Sequence, residues 1–316
     1  MIAAGAVGRA VEDYLSERQR LGYRMHDSEL RRFARYADQR NHAGPLDAEL
    51  QITWARLHVL RTTAGTGTRR LETLRPFVRY YRQFEPDSVE VDPCLLGPKR
   101  GRLTPHIYTT DEIDALVRAA ARLKPSDALR PATYATLLGL LAATGMRRSE
   151  ALNLRDTDID PDGRRLTIRL TKFRKHRQIP LHPSTAAALL AYRRERDQQW
   201  PLAPERSFFV GRDGMAVNAS TLAAVFVNLR RSLGWRARGD YAQPRLHDLR
   251  HTFAVHRLLR WHEENLPVDQ GMLWLCTYLG HAKISDTYWY LTGVPELMAT
   301  AGRAFEAFTR DAEQRS

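Results

Sequence analysis

The segment LGHAKISDTYWYLT at 279–292 carries two tyrosines, Tyr288 and Tyr290, shortly after His281. A tyrosine hydroxyl becomes a nucleophile when it loses its proton. An aromatic cluster in a helix, however, more commonly packs in a core. The segment alone leaves both interpretations open, so the residues that accompany it must decide between them.

Two arginines occur in patterns that suit a negatively charged substrate. Arg147 follows a Thr-Gly break in ATGMRRSEAL and begins a short predicted helix, where Glu150 is placed to hold its guanidinium. In RLHDLRHTF, Arg250 lies three residues after His247, so both side chains share one helix face. Each motif also has an ordinary explanation, as a surface arginine with an intrahelical partner or as a polar pair on a helix.

A third basic cluster lies at the tip of a hairpin predicted from LTKFRKHRQIPL. It comprises Lys172, Arg174, Lys175 and Arg177. Such a tip is usually a solvated turn, or at most a phosphate contact. The turn sequence at 160–163, DPDG, lies between two further strand-like runs. Together these patterns predict a small antiparallel sheet of three short strands in an otherwise helical domain.

The composition favours a polyanionic partner. The 316 residues include 49 Lys and Arg against 36 Asp and Glu, which gives a net charge of +13. No stretch approaches the roughly 18 apolar residues of a membrane span, and the N-terminus lacks the basic region of a secretory signal. We therefore expect a cytoplasmic protein without a membrane partner. Cys94 and Cys276 are too isolated for a disulfide framework or metal cluster, so both are expected to be reduced.

The periodicity of apolar residues divides the chain into two domains. Residues 1–90 predict a bundle of four helices, the last of which, GTRRLETLRPFVRYYRQF, interleaves arginines with aromatic residues. That helix would either contact phosphates or present a solvated basic face. Residues 91–107 form a predicted basic linker that contains Lys99, Arg100 and Arg102. Residues 108–316 form the second domain, which begins with a capping box from Thr109 to Glu112.

Taken in order, the motifs TGMRRSE, TKFRKHRQIPL, HDLR, LGH and TYWY resemble those of the tyrosine recombinases of the phage integrase type. The resemblance covers about 108–291 by motif, while the N-terminal helices match the family's SAM-like core-binding domain in architecture only. It implies a mainly α fold with a small antiparallel sheet. The family's nucleophile follows the Leu-Gly-His histidine by nine residues, within Thr-x-x-Tyr, and this position is Tyr290. Tyr288 is out of register and is expected to have a packing or supporting role.

The resemblance also implies roles for the other residues. The catalytic set would be Arg147, Lys172, His247, Arg250, His281 and Tyr290, with Glu150 in support. The two arginines would clamp the scissile phosphate, His247 would accept or orient the tyrosine proton, and Lys172 would protonate the leaving 5′-oxygen. His281 would hydrogen-bond a non-bridging oxygen. Expected DNA contacts are Arg174, Lys175, Arg177, Lys99, Arg100 and Arg102.

This chemistry needs neither a metal nor another cofactor. The implied function is site-specific recombination of double-stranded DNA for a mobile element, through a 3′-phosphotyrosine intermediate and a Holliday junction. The implied assembly is a homotetramer on two DNA sites, alone or with other recombinases of the same element. The two domains would form a C-shaped clamp. The helix predicted from PELMATAGRAFEAFTRD, after the nucleophile, would pack on its own domain or dock onto the neighbouring protomer.

The chain departs from the family pattern at two places. Phe173 follows Lys172 where glycine is frequent, which leaves Lys175 as a second candidate proton donor. The segment RWHEENLPVDQGM is longer than usual and predicts a loop insertion. Other functions to be weighed are a type IB topoisomerase, an accessory DNA-binding protein without catalysis, and a helix-turn-helix regulator. The positioned tyrosine argues against the second, and the HDLR and LGH motifs argue against the third.

Overall fold

Helices dominate the computed structural model, which describes residues 5–23, 27–57, 65–98, 101–125, 129–169, 176–201 and 207–293. The chain divides into two compact units, Met1–Arg102 and Leu103–Ser316. The predicted class, mainly α with a small antiparallel sheet, is confirmed. None of the described helices is both long and apolar enough to cross a membrane.

In its described part, the first unit contains the four predicted helices. These are α1 (Ala6–Arg20), α2 (Asp27–Asp38), α3 (Ala48–Arg56) and α4 (Thr66–Tyr81). They enclose an aromatic core in which Phe33 meets Trp54 edge to face, with ring centroids 5.2 Å apart. Phe77 lies beside Tyr14 in the same core, at 5.7 Å. A short 3₁₀ helix, Pro93–Leu96, follows α4.

The second unit begins with α5 (Thr110–Ala120), whose predicted capping box is present. The Thr109 hydroxyl accepts from the backbone N–H of Glu112 at 3.2 Å, and the Glu112 carboxylate accepts from the backbone N–H of Thr109 at 2.9 Å. The next helices are α6 (Leu129–Thr144), α7 (Arg148–Leu152), α8 (Pro183–Gln199) and α9 (Ala219–Ser232). α6 runs through the core, where Leu137, Leu138 and Leu140 are buried.

The sheet has two strands in the part of the chain that the structure describes, rather than the three expected. β1 (Arg165–Ile168) pairs antiparallel with β2 (Arg177–Pro180). The first expected strand is instead a 3₁₀ turn, Asp156–Asp158, with a single bridge from Ile159 to Leu166. The buried Asp158 carboxylate explains the turn, because it accepts from the backbone N–H of Arg155 at 2.9 Å and so closes the chain on itself.

Three helices complete the described part of the second unit: α10 (Asp248–Glu263), α11 (Val268–Leu279) and α12 (Ser285–Gly293). The expectation of an inserted loop within 260–272 is wrong. α10 and α11 extend into this segment, and only the turn 264–267 separates them. Asn265 adopts a left-handed conformation there (φ 56°), and the backbone N–H of Leu266 donates to the carbonyl of Trp261 at 2.8 Å.

Candidate active site

Arg147 caps the N-terminus of α7, and Gly145 forms the turn that follows the end of α6 at Thr144. Gly145 has φ 59°, and a Cβ there would approach Phe253 to within 2.6 Å, so this turn requires glycine. The Glu150 carboxylate accepts from both the backbone N–H of Arg147, at 2.8 Å, and its Nη1, at 2.9 Å. The Nη2 of Arg147 donates to the carbonyl of Gly280 at 2.9 Å. The guanidinium is thus held in place while its side chain remains 31% exposed.

Arg250 comes from the first turn of α10 and is almost fully buried. Its Nη1 donates to the carbonyl of Gly145 and its Nη2 to the carbonyl of Leu279, each at 2.9 Å. Burial and the nearby charge of Arg147 lower the pKa of Arg250 to about 10, so it stays protonated at neutral pH. Both arginines are therefore attached to the same turn, Leu279–Gly280, at the end of α11.

Glu150 also binds Arg177, which projects from β2. The Nη1 and Nη2 of Arg177 donate to Oε1 and Oε2 of Glu150 at 3.0 and 2.8 Å. Burial alone would raise the pKa of Glu150, but the hydrogen bonds and charge of Arg177, with those of Arg147, hold it below its ordinary value. The sequence placed Arg177 at an exposed hairpin tip as a DNA contact, whereas the structure places it in a strand, paired with Glu150.

Tyr290 and His281 face each other beyond this turn. Tyr290 lies in α12 with only 2% of its surface exposed, and its ring stacks on that of His281 with centroids 6.4 Å apart. The Nδ1 of His281 is 2.7 Å from the hydroxyl of Thr287, which is fully buried. The threonine of the Thr-x-x-Tyr motif thus orients the histidine.

Tyr288 points elsewhere. Its hydroxyl donates to Oδ1 of Asp269, in the first turn of α11, at 2.7 Å, and the residue is 36% exposed. The hydrogen bond to Asp269 raises the pKa of Tyr288, which disfavours the phenolate that a nucleophile requires. Of the two tyrosines, Tyr290 is the one that reaches the histidines next to the buried arginine.

A histidine that the sequence analysis did not single out lies at hydrogen-bond distance from the Tyr290 hydroxyl. The Nδ1 of His251 is 3.2 Å from Oη of Tyr290, and the rings meet edge to face. His247, the expected partner, instead contacts the ring of His251 edge to face, at 4.9 Å between centroids. His251 follows Arg250 directly and lies one helical turn after His247 in HDLRH, so the helical period was a signal that could have identified it.

Both histidines are held neutral. Burial of the His247 ring and the charges of Arg250 and Arg245 lower the pKa of His247 to about 4, although part of this residue is exposed to solvent. Burial, followed by the proximity of the His247 ring and the positive charges of Arg245 and Arg250, lowers the pKa of His251 to about 3. A neutral imidazole keeps one ring nitrogen free to accept a hydrogen bond.

Asp248, which is fully buried, holds the start of α10 in place through its hydrogen bonds. Its carboxylate accepts from the backbone N–H of Arg245 at 2.8 Å and from the side-chain Nη2 at 2.6 Å. The hydroxyl of Tyr108 donates to the carbonyl of Arg245 at 3.0 Å. These bonds set the position from which His247 and Arg250 project.

An open cleft gives access to the two arginines. It is lined by Arg147, His247 and Arg250, together with Leu141, Met146, Arg148, Ser149, Leu246 and Leu249. In the described part of the chain, no group of three or more His, Cys, Asp or Glu side chains is arranged to hold a metal ion. Because arginines line the cleft, it presents positive charge to a bound molecule.

Several expected site residues lie outside the described part of the chain. They are Lys99, Arg100, Lys172, Arg174 and Lys175, and the segment after Tyr290 that was expected to form a C-terminal helix. Arg102 is described and exposed. The described residues thus bring together Arg147, His247, Arg250, His281 and Tyr290 from three separate stretches of sequence.

Comparison with known proteins gives consistent results. The phage integrase family matches residues 107–294. The candidate integrase/recombinase y4rB of Sinorhizobium fredii is 37% identical over 305 residues, covering 94% of this chain and 96% of that protein. The tyrosine recombinase XerD of Bradyrhizobium diazoefficiens is 30% identical over 273 residues, covering 81% of each.

Two solved structures share the fold. The XerH site-specific recombinase, in a post-cleavage complex with its palindromic difH substrate, has a TM-score of 0.65 at 18% identity, covering 88% of this chain and 78% of that one. The Tn1549 transposon integrase, in complex with transposon right end DNA, has a TM-score of 0.64 at 17% identity, covering 89% and 94%.

Proposed function

The chain belongs to the phage integrase family and is a tyrosine-type site-specific recombinase that acts on DNA, and we propose that Tyr290 is its nucleophile. One observation supports this assignment above the others. The turn Leu279–Gly280 accepts hydrogen bonds from Arg250 and Arg147, and the histidine that follows it, His281, stacks on Tyr290.

Arg147 and Arg250 bind the scissile phosphate. Each guanidinium carries five N–H donors. The bonds to Gly280, Glu150, Leu279 and Gly145 leave others to meet the two non-bridging oxygens. Because both groups are permanently charged and already fixed, they offset the negative charge that grows in the pentacoordinate transition state without reorganising.

The attack forms a bond between Oη of Tyr290 and phosphorus and breaks the bond from phosphorus to the 5′-oxygen. The leaving oxygen takes a proton from a lysine, and Lys172 is the proposed donor, with Lys175 as the alternative. His281 donates to a non-bridging oxygen. The product is a 3′-phosphotyrosine and a free 5′-hydroxyl, so the energy of the phosphodiester is retained and a 5′-hydroxyl from another duplex reverses the step.

Recombination requires two DNA sites to exchange first one pair of strands and then the other. Four protomers on two DNA sites cut and rejoin one pair of strands, pass through a Holliday junction, and then exchange the other pair. The element that carries the gene is mobile DNA, a proposal supported by the shared fold of the Tn1549 transposon integrase. Light scattering of the purified complex tests the assembly, which should contain four protomers for two duplexes.

Covalent trapping tests the nucleophile. Binding sites are first selected from a randomised duplex library, and nicked suicide versions are then incubated with wild type, Tyr290→Phe and Tyr288→Phe in the presence of EDTA. We expect a protein–DNA adduct on a denaturing gel that is lost only in Tyr290→Phe. An adduct that survives in Tyr290→Phe contradicts the assignment, and the absence of any adduct from wild type on a bound site favours an accessory DNA-binding protein.

A further inference from the structure

The Tyr290 hydroxyl needs a proton acceptor, and His251 lies at hydrogen-bond distance from it. Its Nδ1 lies 3.2 Å from Oη of Tyr290. The ring is held on several sides, by edge-to-face contacts with His247 at 4.9 Å, with Trp289 at 5.7 Å and with Tyr290 itself at 5.6 Å. A general base must be within such reach of the proton that it removes.

We propose that His251, rather than His247, accepts the hydroxyl proton of Tyr290 as the tyrosine attacks the scissile phosphate. The inference rests on the role of Tyr290 proposed above. With the proton of the imidazole on Nε2, the lone pair of Nδ1 points to the phenol, which donates to it before the reaction.

The proton balance of cleavage is then complete. The Tyr290 proton passes to Nδ1 of His251 while Oη bonds to phosphorus, and the 5′-oxygen leaves with the proton of the lysine. In rejoining, the 5′-hydroxyl attacks and returns its proton to the lysine, while the tyrosine oxygen leaves and recovers its proton from the imidazolium of His251. No other reactant is required.

The surroundings make His251 a base whose strength depends on the substrate. Burial, and then the positive charges of Arg245 and Arg250, lower the pKa of His251 and keep its ring neutral in the free protein. His247 and His281 are further titratable groups that lie near this ring. A phosphate bound to the arginines brings negative charge into this group, which favours the imidazolium. Proton transfer from Tyr290 thus becomes easier when a phosphodiester occupies the site.

The experiment compares His251→Ala, His251→Asn and His247→Ala in single-turnover cleavage of the nicked duplex. The Oδ1 of asparagine occupies the place of Nδ1 and keeps the hydrogen bond, but it does not take a proton. His262→Asn is the matched control, because His262 is an exposed histidine at the far end of the same helix. Melting temperature and DNA affinity are measured for every variant.

A second substrate separates the two proton transfers. A 5′-bridging phosphorothiolate loses a thiolate, which needs no proton, so it restores variants that lack the proton donor but not those that lack the acceptor. We expect His251→Ala and His251→Asn to cleave about 10²- to 10⁴-fold more slowly than wild type on both substrates. His262→Asn should match wild type, and His247→Ala should lose less rate than His251→Ala.

Three results overturn the proposal. Wild-type rates in His251→Asn with slow cleavage in His251→Ala would mean that the residue only orients Tyr290. Restoration of the His251 variants by the phosphorothiolate would place the proton transfer at the leaving group, and unchanged cleavage in His251→Ala would remove any role. These outcomes are distinct from failure of the proposed nucleophile, which would show as an adduct formed by Tyr290→Phe.

Discussion

Replacing Glu150 with glutamine removes the negative charge that binds the guanidiniums of Arg147 and Arg177 and keeps the size of the side chain. The side chains of Glu150 and Arg177 are only 8% and 12% exposed. Breaking a buried ion pair costs about 3–5 kcal/mol, because the remaining charge stays buried. Glutamine keeps one acceptor oxygen and Arg147 is 31% exposed. We therefore expect a loss of about 3 kcal/mol, at the low end of this range.

Thermal melting measures this loss. At about 2–4 °C for each kcal/mol in a domain of this size, Glu150→Gln should lower the melting temperature by about 6–12 °C. The control is Glu263→Gln, an exposed glutamate in the last turn of α10, which should melt like wild type. Because the pKa of Glu150 is below its ordinary value, its contribution is complete at neutral pH and is lost as the pH falls through that lowered pKa.

A double-mutant cycle with Arg177→Met decides whether the pair is responsible. If it is, the two substitutions together cost less than the sum of the single costs, with a coupling of about 2 kcal/mol or more, since the double variant leaves no unpaired charge between them. Additive costs, within about 0.5 kcal/mol, would refute the reasoning. Cleavage should also slow in Glu150→Gln, because Arg147 loses the carboxylate that orients it.

Three further predictions concern the same region. Gly280→Ala should cost roughly 1–2 kcal/mol in chemical denaturation and slow cleavage, because φ is +67° and a Cβ would lie 2.9 Å from Nη1 of Arg177; unchanged stability would contradict this. Tyr288→Phe should lose about 1 kcal/mol or less with its exposed bond to Asp269 and keep wild-type cleavage. Acidification from pH 7 to 5 should destabilise the protein, because the pKa of a histidine in the unfolded chain is about 6.5 whereas the pKa of His251 in the folded protein is lowered to about 3. The unfolded state therefore binds the proton first. His251→Asn should make the melting temperature less dependent on pH.

Sequence patterns predicted much of the helical framework. Apolar spacing indicated α1 to α4, and the Thr109 to Glu112 capping box located the start of α5, since both signals act within one helix. The motif order also identified side chains from distant segments that the structure brings together. The nine-residue spacing from His281 distinguished Tyr290 from Tyr288, and the structure gives the two hydroxyls different partners.

Features that depend on tertiary contacts were not predictable in this way. The expected first strand became a 3₁₀ turn because the Asp158 carboxylate caps it, and turn chemistry of this kind competes with a strand. The predicted loop was a continuation of α10 and α11, since a longer segment does not reveal whether its residues extend a helix. The helical period places His251 on the face of His247, but its contact with Tyr290 brings α10 and α12 together and could not be read from the sequence.

The turn at the end of α11 links the positions of Arg147, Arg250 and Tyr290. Gly280 is left-handed (φ 67°, ψ 48°), so the backbone N–H groups of Gly280 and His281 donate to the carbonyls of Thr277 and Cys276 and close the helix. The carbonyls of Leu279 and Gly280 then turn outward and accept from Arg250 and Arg147. Because His281 follows directly and its ring stacks on Tyr290, a displacement of this turn would move the two arginines and Tyr290 together.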